Sequence, residues 1–243
     1  MPTSIHEFGT KTMQTTETPL TLRLFTVHDY HRMAEVGILQ PDERVELLEG
    51  QVLLKYTNAE PRLWTVAEYY HMAEVGILQP DERVELIEGQ IITKMSPQGT
   101  AHASAITRIE KLLEKRLEAQ VLVRTQLPIR LNDRSEPEPD VAVVIGDALR
   151  YDDHHPTPSE IYLIVEVADT TLKSDCETKA KSYAKSGIAD YWVLDVNNRQ
   201  LHVFREPAPD GYQSQVILPE NSTLSPLAFP ADIFTISEML RPL

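Results

Sequence analysis

The sequence predicts an α/β fold: a mixed β-sheet flanked by helices, with a duplicated N-terminal helix–hairpin segment. Three observations carry that reading. Short apolar runs bounded by turn residues alternate with helix-patterned stretches, as layered α/β domains require. One helical stretch separates two apolar runs, in the manner of a crossover between strands of one sheet. The phrase MAEVGILQPDERVEL stands at 33–47 and again, unchanged, at 72–86. With 243 residues and 42% hydrophobic content, the chain can bury a proper core, and one main domain with an N-terminal appendage fits better than two full domains.

Taken in order, residues 1–24 are threonine-rich with few large apolar residues and no period, which predicts a flexible lead-in without an assigned role. Residues 25–57 then match 64–96. Each copy reads as a short helix, a Gly-Ile-Leu stop, a Pro-Asp-Glu turn and a hairpin whose tip is Glu49-Gly50 or Glu88-Gly89. Two copies are too few to close a solenoid. Only the second runs directly into the rest of the chain, so 25–60 is expected to be a dispensable appendage and 61–243 the main domain; the alternative is that the first copy adds edge strands or a dimer contact. A long helix follows at 101–119, then strands near 121–131, 138–145 and 161–168. The stretch SDCETKAKSYAKSG predicts a helix over 175–186, with Ser174 or Asp175 as N-cap and Gly187 as its end. Strands near 190–196 and 200–205 are joined by a tight Asn197-Asn198 turn. The proline-containing remainder, 207–243, holds a final apolar pattern, DIFTISEML, expected to be a strand and a cap on the core.

Charge and composition set bounds on function. A formal charge of −14 argues against broad, sequence-independent attraction to nucleic acid, which depends on lysine and arginine displacing counterions. Residues 101–131 run the other way, with Arg108, Lys111, Lys115, Arg116, Arg124 and Arg130 against Glu110, Glu114 and Glu118. That stretch reads either as a modest basic face or, better, as a solvated helix face laced with ion pairs. The single cysteine, Cys176, excludes an internal disulfide framework and a cysteine-rich zinc site and is compatible with a reducing compartment. There is no run of eighteen apolar residues and no charged-then-apolar leader, so neither a membrane span nor a signal peptide is expected. The cytoplasm is the expected location.

Three residues stand out chemically. Asp140 opens the apolar run DVAVVIGD and shares a face with Ala142 and Val144; Glu166 lies inside IYLIVEV and shares a face with Ile164 and Ala168. Lone ionised carboxylates in such places need a cation or hydrogen bonds. On the following helix, Cys176, Lys179, Ala180, Tyr183 and Ala184 fall on one stripe, whereas Lys181 and Lys185 fall opposite. Lys179 therefore points towards the sheet. Two carboxylates on neighbouring strands suit a hard divalent cation, Mg²⁺ or Mn²⁺, and a nearby ammonium suits a developing oxyanion. Plainer readings stand beside these: Asp140 bound to backbone N–H groups at a strand start, and Glu166 in a structural ion pair with Lys179. By pattern alone His102 is a core histidine and Glu85 a solvent-side partner of Arg83. The His154-His155 pair sits in a proline-bounded loop where adjacent imidazoles converge poorly on one ion, and Cys176 reads as a small core filler.

The motifs RVELIEGQII, SPQGTAHASAI, PEPDVAVV, LIVEVADTT and DCETKAKSYAKSGIADYWVLD, spread over 64–205, resemble the PD-(D/E)xK nuclease superfamily and, within it, the Uma-type restriction-endonuclease-like family. The resemblance implies a restriction-endonuclease-like sheet, with Asp140 and Glu166 as metal-binding acids. The superfamily lysine normally stands two residues after the second acid, where this chain has Ala168, and Lys179 is similar to a migrated replacement. Tyr183 resembles a position that packs under the site. Glu85 and His102 match the family's acid before the hairpin turn and its helix histidine, each an auxiliary ligand or proton carrier. The implied protein is a cytoplasmic, metal-dependent endonuclease acting on DNA, often a homodimer. A non-catalytic interaction or assembly module that keeps the fold is the alternative. Glycoside hydrolysis by the paired acids is weaker, because it leaves the lysine without a job.

Overall fold

The computed structural model describes residues 20–94, 99–117 and 121–242. Most of the expected lead-in, residues 1–19, lies outside the described residues, as do residues 96–98 of the SPQGTAHASAI motif. The two copies fold alike because their local signals are alike. Helix α1 (Val27–Glu35) and helix α2 (Val66–Glu74) both start on a threonine, Thr26 or Thr65, that closes a capping box with the acid three residues on. Strand β1 is the short Thr21–Leu22. Hairpin β2 (Val45–Leu48) with β3 (Gln51–Leu54) and hairpin β4 (Val84–Ile87) with β5 (Gln90–Thr93) turn through Glu49-Gly50 and Glu88-Gly89. All four tip residues have positive φ, from 47° to 78°, as a type I′ hairpin turn demands.

After α3 (Thr100–Arg116) come β6 (Val121–Thr125), β7 (Val141–Ile145), β8 (Ile161–Ala168), β9 (Asp190–Asp195), β10 (Gln200–Ala208) and β11 (Gly211–Pro219). They form one sheet in the order β11-β10-β9-β8-β7-β6, antiparallel throughout except for the parallel β8–β9 pair. The parallel pair needs the crossover helix between its strands. Alternation sorts the side chains by face. Val141, Val143, Leu163, Val165 and Val167 pack with α3 and with Phe234, Ile236, Met239 and Leu240 of the C-terminal segment. Ala142, Val144, Ile164 and Ala168 face the other way, under the crossover helix, with Ala180 and Tyr183. Asp140 and Glu166 belong to this second face by the same alternation.

Several boundaries differ from the sequence expectation. The strand expected over 121–131 stops at Thr125, because Gln126 turns the chain with φ +52°. Gly211–Pro219, to which the sequence assigns no element, pairs along β10 from Gln200–Pro219 to Ala208–Gly211. The crossover helix starts earlier than expected, with Thr171 as N-cap of a turn over Leu172–Ser174, so neither Ser174 nor Asp175 is its cap. It then widens into a π-helical turn over Asp175–Lys179 before the α-helix Ala180–Lys185. Its end is as expected: Gly187 has φ +82°, with Ile188 N–H bonded to Tyr183 O at 3.1 Å.

The N-terminal residues also depart from expectation. Thr21–Leu22, read as part of the lead-in, pair with β5 of the second copy. The two copies share one core, which includes Phe25, Met33 and Val52 of the first and Trp64, Met72 and Leu86 of the second. Of the basic residues in 101–131, Arg108 bonds Met239 O, Arg116 pairs with Glu238, and Arg124 lies over the Tyr151 ring, so these three bind the chain to itself. Among the described residues no helix is long and apolar enough to cross a membrane.

Candidate active site

Asp140, Glu166, Lys179, Glu85 and His102, far apart in sequence, all line one cavity of about 150 Å³. Each arrives from a different element. Asp140 stands immediately before β7 and Glu166 inside β8, where the antiparallel register sets Val141 opposite Val165. Asp140 N–H donates to Glu166 Oε2 at 3.3 Å, and Val167 N–H donates to Asp140 Oδ2 at 2.8 Å. His102, in the first turns of α3, bonds Asp140 Oδ1 through Nε2 at 3.1 Å. Lys179 donates to Glu166 Oε1 at 2.9 Å, and Tyr183 O–H donates to the same oxygen at 2.9 Å.

Two of the plainer readings change. Glu85 is buried rather than solvent-side: its Oε2 accepts from Glu138 N–H at 3.0 Å and its Oε1 lies 3.6 Å from Lys179 Nζ. His102 is only partly buried and engages Asp140 instead of the apolar core. Asp175 belongs to the cavity as well, and the sequence reading missed it by casting it as a helix cap. The π-helical turn brings Asp175 and Lys179 inward together, 4.0 Å apart, and Thr171 holds the other Asp175 oxygen at 2.6 Å. An acid four residues before an inward lysine was the available signal. The loop histidines do not join: His154 pairs with Asp153 and Glu160, and His155 with Tyr70. Cys176 is half-buried, and burial, with nearby acids, pushes its thiol up to about 12, which makes it unreactive at neutral pH.

Electrostatically the cavity is short of positive charge. Six carboxyl groups line it, of Glu85, Glu138, Asp140, Glu166, Asp169 and Asp175, against the cations Arg83, Lys94 and Lys179 and the imidazole of His102; the acids Glu85, Asp140, Glu166 and Asp175 are buried, and of the cations only Lys179 is. Burial raises Glu166 to about 8 against the pull of Lys179, with Asp140, Asp175 and Glu85 pushing the same way as burial. Asp175 rises to about 6, again chiefly through burial. Burial opposes the charge on Asp140 too, yet the His102 hydrogen bond and charge, with Lys179 and Val167 N–H, bring it below the usual carboxylate range. His102 is raised in turn, its own burial outweighed by Asp140. Lys179 stays an ammonium: desolvation is overcome by Glu166 and Glu85, and its pKa lies well above the ordinary lysine value.

The donor set is one of hard oxygens. Asp140 Oδ2 and Glu166 Oε2 each accept one hydrogen bond, which leaves each a further lone pair. Among the described residues no three His, Cys, Asp or Glu side chains form a ready-made cage for an ion. Two carboxylates with water filling the remaining positions is how Mg²⁺ is commonly held.

The chain is similar in fold to the crystal structure of a "putative nuclease belonging to DUF820" from Anabaena variabilis, with a TM-score of 0.56 and 17% identity over 72% of this chain and 96% of that one. No curated protein matches the chain. A family model, Uma2, described as "Putative restriction endonuclease", matches residues 66–237, from α2 through the whole sheet to the C-terminal turn. With most of its length so matched, and the cavity acids inside the match, the protein belongs to the Uma2 family.

Proposed function

We propose that the protein is a divalent-metal-dependent endonuclease hydrolysing phosphodiester bonds of DNA. The supporting observation is the excess of acid: four buried carboxyl groups against one buried ammonium, and six carboxyl groups against three cations and one imidazole in the whole lining of the cavity. Such an excess is costly unless a cation compensates it or protons neutralise it. Asp140 and Glu166 would hold Mg²⁺ or Mn²⁺. When bound, the ion would polarise the phosphodiester and favour ionisation of water.

The chain's own residues do the positioning. Tyr183 and Lys179 both grip Glu166 Oε1, which fixes the carboxylate plane and leaves Oε2 facing Asp140. Because Lys179 remains charged, it is unsuited to take a proton from water; its part is to orient the attacking oxygen and stabilise negative charge on the phosphate. His102, whose pKa Asp140 raises, is the group placed to give a proton to the departing oxygen. Glu85 holds the chain at Glu138 and bears on Lys179 from the second-copy hairpin.

Nicking of supercoiled plasmid by purified protein, with Mg²⁺ or Mn²⁺ and with EDTA, tests the reading. The expected result is metal-dependent nicking that falls by 10²-fold or more in Asp140→Asn and Glu166→Gln. Absence of nicking over supercoiled, linear and branched DNA, together with no calorimetric Mn²⁺ binding, would move the protein to the non-catalytic module.

A further inference from the structure

The tandem copies are joined by reciprocal contacts. Arg23 N–H bonds Ile91 O of the second copy at 2.8 Å, and its counterpart 39 residues on, Arg62, bonds Val52 O of the first at 2.8 Å. The guanidinium of Arg23 reaches Glu82 and Ile77 O in the second copy; that of Arg62 reaches Glu43 and Ile38 O in the first. Leu22 pairs with Ile92, and Pro61 pairs with Leu53, its mirror. Phe25 and Trp64, equivalent residues, meet edge to face at 5.5 Å. A residue that touches its own equivalent marks a two-fold axis, and an interface in which i meets j while j meets i is that of a symmetric dimer.

The symmetry ends at the outer faces. In the second copy Val66 is 1% and Ile87 3% exposed, where the stretch before β7 accepts from Val66 N–H through Asp133 O and donates to Leu86 O through Glu136 N–H. Their equivalents in the first copy, Val27 and Leu48, are 63% and 52% exposed. The first copy has the pairing face of its twin and a bare version of its docking face. We propose that the helix–hairpin unit is a self-pairing module, and that the first copy occupies in cis the place of a second copy of this chain. The chain thereby carries its own dimerisation partner and needs no second protomer at this face.

The arrangement reaches the cavity without depending on the nuclease reading. Thr21, opposite Thr93, and Leu20 belong to the cavity wall. The strand that leads into the first copy thus supplies part of the cavity wall that the main domain alone lacks.

Which chain provides that strand is decided by Thr21→Cys with Thr93→Cys in a Cys176→Ala background, oxidised at low micromolar concentration and run on non-reducing electrophoresis. The expected product is a cross-linked monomer. A disulfide-linked dimer, or a folded protein that does not cross-link, would overturn the proposal. If the variant fails to fold, amide exchange in the unmodified full chain at a concentration where sedimentation shows only monomer takes its place. Protection of the Arg23 amide at least 100-fold above the random-coil rate supports pairing in cis; exchange near the random-coil rate overturns it.

Discussion

Lys179 separates chemistry from structure. It is one of two hydrogen-bond donors to Glu166 Oε1 and the cation that opposes the raised pKa of that acid. Lys179→Met is expected to lower nicking by about 10²-fold while Mn²⁺ binding persists, and to cost about 3 kcal/mol of stability at pH 8.5. The stability loss should shrink at pH 6, since Glu166 without its ammonium holds a proton more firmly. Urea melts at the two pH values read this directly. Metal-free wild type has its own pH signature. Glu166 and Asp175 have folded pKa values above their ordinary ones, at about 8 and about 6, so the native state binds more protons than the unfolded chain between pH 4 and 8. Stability from these two groups is therefore full at low pH and is lost as pH rises through those values. In EDTA the melting temperature should fall from pH 5.5 to pH 8, and Mn²⁺ should reverse the fall most at the higher pH; a flat profile would contradict the acid cluster. Much of this site was legible in the sequence, because strand alternation sets Asp140 and Glu166 on one face and a helical stripe turns Lys179 inward. Asp175 was less plain: its spacing of four from Lys179 pointed to it, but its inward turn depends on the π-helical widening.

At the scale of elements, the hairpin tips and one loop carry predictions. Gly89 has φ +78°, and a Cβ there would come within 2.7 Å of Leu63 Cβ; Gly50 meets Leu24 at the same distance. Gly37 has the same φ with nothing within 4 Å. Gly37→Ala should cost about 1 kcal/mol for backbone strain alone, and Gly89→Ala at least about 2 kcal/mol because backbone and side chain must both shift. Thermal melts of the two variants check the difference. In the loop before β8, burial would raise Glu160, but Thr157 N–H, Arg150 at 2.9 Å and His154 bring it down to about 2. A depressed folded pKa gives stability that is present above the ordinary glutamate value and lost as pH falls towards 2. Glu160→Gln should therefore cost about 1–2 kcal/mol at pH 7, discounted for the solvent around Arg150, and almost nothing at pH 2.5. Caps and hairpin tips were readable because threonine, glycine and their neighbours act within one turn of chain. Strand β11 was not, since its polar, half-exposed residues take their order from β10 across the ladder.

The whole molecule differs most from its sequence reading at the first copy. A terminal duplication is readily seen as an appendage, yet its Met33 and Val52 share a core with Trp64 and Met72, and the strand that leads into it lines the cavity. A chain starting at residue 60 should not persist as a monomer, because Trp64 and the β5 edge would be uncovered. Light scattering after size exclusion gives the answer: an unaltered melting temperature in a monomer would show the first copy to be dispensable. By itself the sequence determined the repeated local structure, the order of strands and helices, and the faces on which the acids lie. Those depend on neighbours a few residues away. The phrase MAEVGILQPDERVEL shows what it left open: written twice, it folds twice into the same helix end, turn and strand start, yet Glu46 is exposed beside Lys55 while Glu85 is buried against Lys179. Only the tertiary structure decided between them, because burial and charge pairing are set by partners distant along the chain, and identical segments meet different ones.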